Sequence, residues 1–130
     1  MALSREQVKK AKGRLKQEKV FIPEWAEDGE SVEEAFVIVR GLKATETIQI
    51  GALVEQGYAE VAVIMHFCVL DENGEKLFPT LDDAQDLFEN SALAPVERLS
   101  DSVYELSGLT ARRQKAIEKK SETMKTSNSG

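Results

Sequence analysis

Residues 59–70 of this chain read Ala-Glu-Val-Ala-Val-Ile-Met-His-Phe-Cys-Val-Leu and are apolar whichever structural period is laid over them. A segment with almost no polar face has to be wrapped by the rest of the molecule, so it fixes the centre of any fold this sequence can adopt. Periodicity alone does not separate a buried helix from a buried strand in such a run, but a length of ten or more residues favours the helix. A strand would also need a partner, and residues 75–78 are too short before Pro79 to supply one. The segment is therefore read as a central buried helix.

The residues immediately after it are turn formers. Asp71 and Asn73 hydrogen-bond the local backbone and Gly74 takes a positive φ, while Leu77 and Phe78 offer an apolar anchor before Pro79 blocks continuation. The alternate oxygens of Asp71, Asn73 and Glu75 invite a calcium-loop reading. That loop requires Gly at its sixth position and a bidentate Glu at its twelfth, and here those places hold Lys76 and Asp82. Thr80 then caps a helix over 81–89, with Asp82, Asp83 and Asp86 near its positive end and Leu81, Ala84, Leu87 and Phe88 as its buried stripe. A last helix over 94–107 presents Val96, Leu99, Val103 and Leu106 and stops at Gly108.

Upstream, Ser4 and Gln7 form a capping box that opens a short helix to about Leu15, with a thin apolar face of Val8, Ala11 and Leu15. Residues 19–25 alternate around Phe21 and stop at Pro23, as an edge strand does. An acidic stretch containing Asp28-Gly29 leads to a β-branched strand at 36–42. The two strands form a small antiparallel hairpin that needs helices packed on it to survive. Thr45 is the expected N-cap of a helix to about Gln56, with Ile48, Ala52 and Leu53 on its apolar side and Gly57 as its stop.

With 130 residues there is room for one modest core. The expected fold is α+β: a mostly helical single domain over 1–110 with a small N-terminal antiparallel β-hairpin. Residues 1–19 form a basic N-terminal helix or arm, and residues 111–130 a flexible basic tail. Charge divides the same way. Residues 1–19 carry a net +5, residues 111–130 a net +4, and the segment between them −15, within an overall −6. Basic ends on an acidic body are either solvated, flexible termini or arms that attach to an acidic surface.

Little in the chain carries chemistry. His66 is the single histidine and is flanked by Met65 and Phe67, which makes it a core or boundary residue rather than a catalyst. Cys68, also single, reads as a small buried hydrophobe in a reducing compartment. Two such donors are too few for a zinc site. No phosphate-binding Gly-rich loop and no nucleophile elbow occurs, so no catalytic, cofactor-binding or metal-ligating residue is assigned. The N-terminus is too polar for a signal peptide and no apolar run approaches the roughly 18 residues of a membrane span; a soluble cytoplasmic protein is expected. Trp25, beside Pro23, either packs on the core or is an exposed binding aromatic, and the polar loop after it favours packing. The candidates for partner contact are Trp25, Arg112, Arg113, Lys115, Lys119 and Lys120.

The order of these signals resembles a known family. Val20-Phe21-Ile22-Pro23-Glu24-Trp25, then Val37-Ile38-Val39-Arg40-Gly41-Leu42 with Thr45-Glu46, then Asp71-x-x-Gly74-x-x-Leu77-Phe78, and a last helix closing on Leu106-Ser107-Gly108-Leu109 are similar to the tail assembly chaperones of long-tailed bacteriophages or prophages. Two features depart from the family pattern: a longer acidic insert at 26–35 and the ending after Lys120. The resemblance implies a non-enzymatic protein of the host cytoplasm, absent from the finished virion. It implies binding to the tape measure protein and help in recruiting tail tube subunits, with self-association possible. Two other readings stand on the residues alone. One is a small acidic adaptor or regulator that binds another protein. The other is a weak nucleic-acid binder acting through the basic tail, against which the acidic body and the lack of interleaved aromatics argue.

Overall fold

The computed structural model describes residues 2–29 and 31–109. Its centre is the expected apolar segment, which forms helix α3 (Glu60–Cys68). Val63, Ile64 and Met65 are consecutive in the chain and no more than 1% exposed. Three successive positions of a helix point in three directions, so α3 is enclosed all round. Helices α2 (Ala44–Glu55), α4 (Leu81–Asn90) and α5 (Leu93–Leu106) pack against it.

The segment is not helical to its end. After Cys68 the chain passes straight into strand β3 (Val69–Leu70). Its ladder partner is not the short stretch downstream but strand β2 (Phe36–Arg40), through Ile38 opposite Leu70 and Val39 opposite Val69. Residues 75–78 contribute a single bridge, Lys76 to Leu70. Strand β1 (Gln17–Phe21) pairs with the other side of β2, so the expected hairpin is the first part of a three-stranded antiparallel sheet ordered β1-β2-β3. The α+β class stands, with five helices and this sheet among the described residues. No helix among those residues is long and apolar enough to cross a membrane.

The register decides what each side of the sheet does. Val20, Val37, Val39 and Val69 face the helices and are buried. Glu18 shares that side, and its carboxylate accepts a hydrogen bond from the buried Ser102 hydroxyl of α5. Helix α5 lies across β1 and β2 on Val96, Leu99 and Val103, the stripe its spacing predicts. Its C-terminal end comes very close to the sheet: a Cβ placed on Gly41 would stand 2.9 Å from the Leu106 carbonyl oxygen. The adjoining Leu42 N–H donates to Ser107 Oγ at 2.9 Å.

Several boundaries move from where the sequence suggests them. Helix α1 (Arg5–Ala11) has the capping box, with Ser4 and Gln7 satisfying each other at 2.8 and 3.2 Å. It ends well before Leu15, because Gly13 takes a φ of +81° and no residue of α1 is buried to carry it further. Strand β1 starts earlier than expected and stops at Phe21; Pro23 opens a 3-10 turn through Trp25, since its nitrogen has no hydrogen for a ladder. Lys43, not Thr45, is the N-cap of α2, and the Glu46 carboxylate accepts the Lys43 N–H at 2.7 Å. Helix α2 keeps the expected Leu53 against the core, but its face is otherwise turned. It buries Glu46 and Ile50 and leaves Ile48 76% exposed. In α4 the Thr80 cap holds, its Oγ1 accepting from the Asp83 N–H at 3.1 Å. Ala84 is fully buried, and the close approach it permits leaves the bulkier Phe88 at the rim.

Two glycine substitutions separate the backbone effects. Gly41→Ala should destabilise the fold by about 1–3 kcal/mol, because the new methyl meets α5 backbone rather than a side chain that can swing away. Gly51→Ala, inside α2 with open space around it, should stabilise by about 0.5–1 kcal/mol. Urea unfolding of both variants beside the parent chain measures the two signs.

Candidate functional site

The most elaborate polar arrangement lies where β2 leaves the sheet for α2. Arg40 donates from both terminal nitrogens to the two Glu46 oxygens at 2.8 Å each, and from Nη1 to the Gly41 carbonyl at 2.9 Å. Both side chains are nearly buried, 12% and 8% exposed. Burial alone would raise the Glu46 carboxyl, but the Arg40 hydrogen bonds, the Lys43 N–H and both nearby positive charges outweigh it and hold Glu46 below its ordinary value. Arg40 is correspondingly raised, mainly through its hydrogen bonds to Glu46. Each strong donor or acceptor here has a partner within the chain. The arrangement joins two elements and is not poised to react.

Single residues with chemical potential are similarly occupied. His66 Nδ1 lies 2.8 Å from the Phe78 carbonyl oxygen, a contact that requires the proton on Nδ1. It pins the segment before α4 to the end of α3. Cys68 is fully buried, and burial pushes its thiol up to about 12. Asp71 accepts the Asn73 and Glu75 N–H groups at 2.8 and 3.0 Å, which makes it the organiser of the turn that the sequence reading prefers to a calcium loop. Among the described residues no three His, Cys, Asp or Glu side chains are grouped to hold a metal.

Trp25 packs half-buried against the core. With Ile22, Glu34, Ala35, Phe36 and Val37 it lines a cleft of about 140 Å³. The packed alternative is the one observed, and the ring still reaches the surface through that cleft. The segment carrying it is fixed by Arg98 of α5, which donates to both Glu24 oxygens at 2.9 Å and to the Phe21 carbonyl at 3.2 Å. Those hydrogen bonds hold the Glu24 carboxyl below its ordinary value. The other candidates, Arg112, Arg113, Lys115, Lys119 and Lys120, lie outside the described residues.

The surface that the sequence reading missed is the side of the sheet away from the helices. Cross-strand neighbours share a face, so Lys19, Ile38, Leu70 and Lys76 form one row, with Phe21 and Phe36 in the next. Phe21 is 47% exposed, Phe36 and Ile38 are half-buried, and Leu70, in the same row, is buried. The Phe21 and Phe36 rings lie 6.1 Å apart. Lys19 Nζ stands 4.7 Å from the Phe36 ring centroid, and Lys76 Nζ 5.3 Å from that of Phe67. The available signal was the alternation Lys19-x-Phe21 and Phe36-x-Ile38, which marks the strand side opposite Val20, Val37 and Val39.

No protein-family model matches the chain, and no curated protein matches it. Among solved structures, the tail assembly chaperone of bacteriophage HK97 aligns with a TM-score of 0.55 and 18% identity, covering 78% of this chain and 90% of that one. At this identity the likeness is one of fold.

Two measurements check the buried groups. The Glu46 carboxyl titrates lower in the folded than in the unfolded chain. Its stabilisation is therefore complete above the ordinary value of 4.5 and is lost as pH falls through the lower folded-state value. Glu46→Gln should cost about 3 kcal/mol at neutral pH, since Arg40 then lacks its counter-charge, and the loss should shrink on the acid side. Unfolding free energies measured across the acid range report both effects. Cys68 should react with an aromatic disulfide reagent only as fast as the chain unfolds; fast modification of the native protein would contradict its burial.

Proposed function

We propose that the protein is a tail assembly chaperone: a binding protein, not an enzyme, that holds the tape measure protein and helps recruit tail tube subunits while a phage tail is built. The observation that carries this reading is the fold shared with the HK97 tail assembly chaperone over nine-tenths of that chain. The ordered signals between residues 20 and 109 support it independently. On this reading the protein works in the host cytoplasm and does not remain in the finished virion.

The mechanism is attachment by several weak contacts. A client that must later be surrendered to the growing tail is better held by small surfaces and screened charges than by one deep pocket. The basic ends suit this task. Helix α1 carries Arg5, Lys9 and Lys10 and buries none of its residues, so its cations and the exposed Leu3 and Val8 are available to a partner. The basic segment 111–130 adds a second charged arm. A chain truncated after Leu109 retains every core residue of the described structure. It should keep a cooperative unfolding transition and bind the client more weakly, with the difference shrinking as salt rises.

The direct test is co-expression with the tape measure protein encoded beside this gene. The client should become soluble and co-purify only when the chaperone is present. Absence of a long tape measure gene downstream, or a client equally soluble alone, would favour the adaptor reading. Binding to duplex DNA with a steep salt dependence would favour the nucleic-acid reading.

A further inference from the structure

We infer that the side of the sheet facing away from the helices is a docking surface for an amphipathic helix whose apolar stripe is flanked by carboxylates. This rests on the chaperone reading and deepens it by naming the face that takes the client and the chemistry of the segment taken.

Width is the first argument. Lys19, Ile38, Leu70 and Lys76 occupy successive positions across β1, β2, β3 and the bridge beyond. Three interstrand steps of about 4.8 Å set the backbones of the two lysines roughly 14 Å apart. A helix with its side chains is about 10–12 Å across. Laid along the strands, it fits between the lysine backbones and rests on Phe21 and Ile38, with the Lys19 ammonium swinging off the Phe36 ring to meet it, while Leu70 is already covered by the chain itself.

Charge is the second argument, and it selects the occupant. The segment between residues 20 and 110 is strongly acidic, and two of its few cations, Arg40 and Arg98, are already paired with Glu46 and Glu24. Among the described residues neither Lys19 nor Lys76 makes an ion pair; Lys76 stands over Phe67 at one border of the strip, and Lys19, rooted at the other border, lies over Phe36. At physiological salt, charges interact over about 8 Å, so an approaching helix responds to this local pair more than to the acidic body as a whole. A second copy of this chain offering its basic α1 would set like charges against Lys19 and Lys76. A helix with glutamates flanking a leucine stripe meets opposite charges on both borders.

The test uses the full-length protein and two synthetic helices with the same leucine stripe, one flanked by glutamates and one by lysines. Fluorescence anisotropy should show the glutamate-flanked helix binding at least tenfold more tightly, with amide shifts concentrated at Lys19, Phe21, Phe36 and Ile38. The double variant Lys19→Glu/Lys76→Glu, whose exposed positions leave the core intact, should reverse that preference. Phe21→Ser should weaken both helices while the melting transition remains cooperative. Equal binding of the two helices, or shifts centred on α2 and α4, would overturn the docking face. Those results would leave the chaperone reading standing if the tape measure protein still co-purifies. If the wild-type protein shows the helix preference but no tape measure protein is held, the chaperone reading fails and the surface remains.

Discussion

Complete enclosure of one helix is the constraint that governs the rest of this fold. Helix α3 buries Ala62, Val63, Ile64 and Met65 in succession, so α2, α4, α5 and the sheet have to surround it. The chain achieves this economically in length by running α3 directly into β3, which ties the buried helix to the sheet without a loop. Burial also explains which parts are firmly held. Fully covering one large aliphatic side chain is worth about 1.5–3 kcal/mol, whereas a helix cap contributes about 1 kcal/mol. Helix α1 has the cap and no burial, so it stands outside the cooperative core that α3 organises.

The Arg40–Glu46 pair is a different kind of contribution. Removing two charges from water is costly, and a well-packed apolar pair of the same size would be as stable. What the ion pair supplies is direction. Arg40 ends β2 and Glu46 lies in the first turn of α2, so their paired oxygens and nitrogens fix the angle at which the chain turns the corner. The same corner is narrowed by the Leu106 carbonyl at Gly41. Strand end, helix start and the end of α5 thus meet at one point, and each limits the freedom of the other two.

Helices with a strong one-sided pattern were legible from sequence. The stripe of α5 and the Thr80 cap of α4 are local signals that tertiary contacts leave unchanged. Where the structure departs from the sequence reading, a distant partner decides. Glu46 became the cap partner of Lys43 because Arg40, six residues upstream, neutralises it in a buried place; without Arg40 the polar residue Thr45 is the better guess. Strand β3 was invisible because its partner lies upstream in β2, while a local search looks to the residues after the turn. The outer sheet surface escaped for a related reason. Its row of Lys19, Ile38, Leu70 and Lys76 draws on four segments and exists only once the register is known. The fold resemblance to a tail assembly chaperone was readable from the order of weak signals, which survives at 18% identity because turns, caps and stripes tolerate substitution.

Arg98 has a consequence beyond holding Trp25 in place. In β1 the even-numbered residues bond to β2, as the Lys16–Gly41 and Ile22–Ala35 contacts fix, so the carbonyls of Gln17, Lys19 and Phe21 point out along a border that no other strand of the described residues covers. Such a border invites strand addition from any unfolded neighbour. The Arg98 guanidinium occupies the Phe21 carbonyl, and Pro23 turns the chain away just beyond it. An incoming strand can therefore zip along only two residues before it runs out of register. The exposed strand is in this way kept from becoming the seed of aggregation.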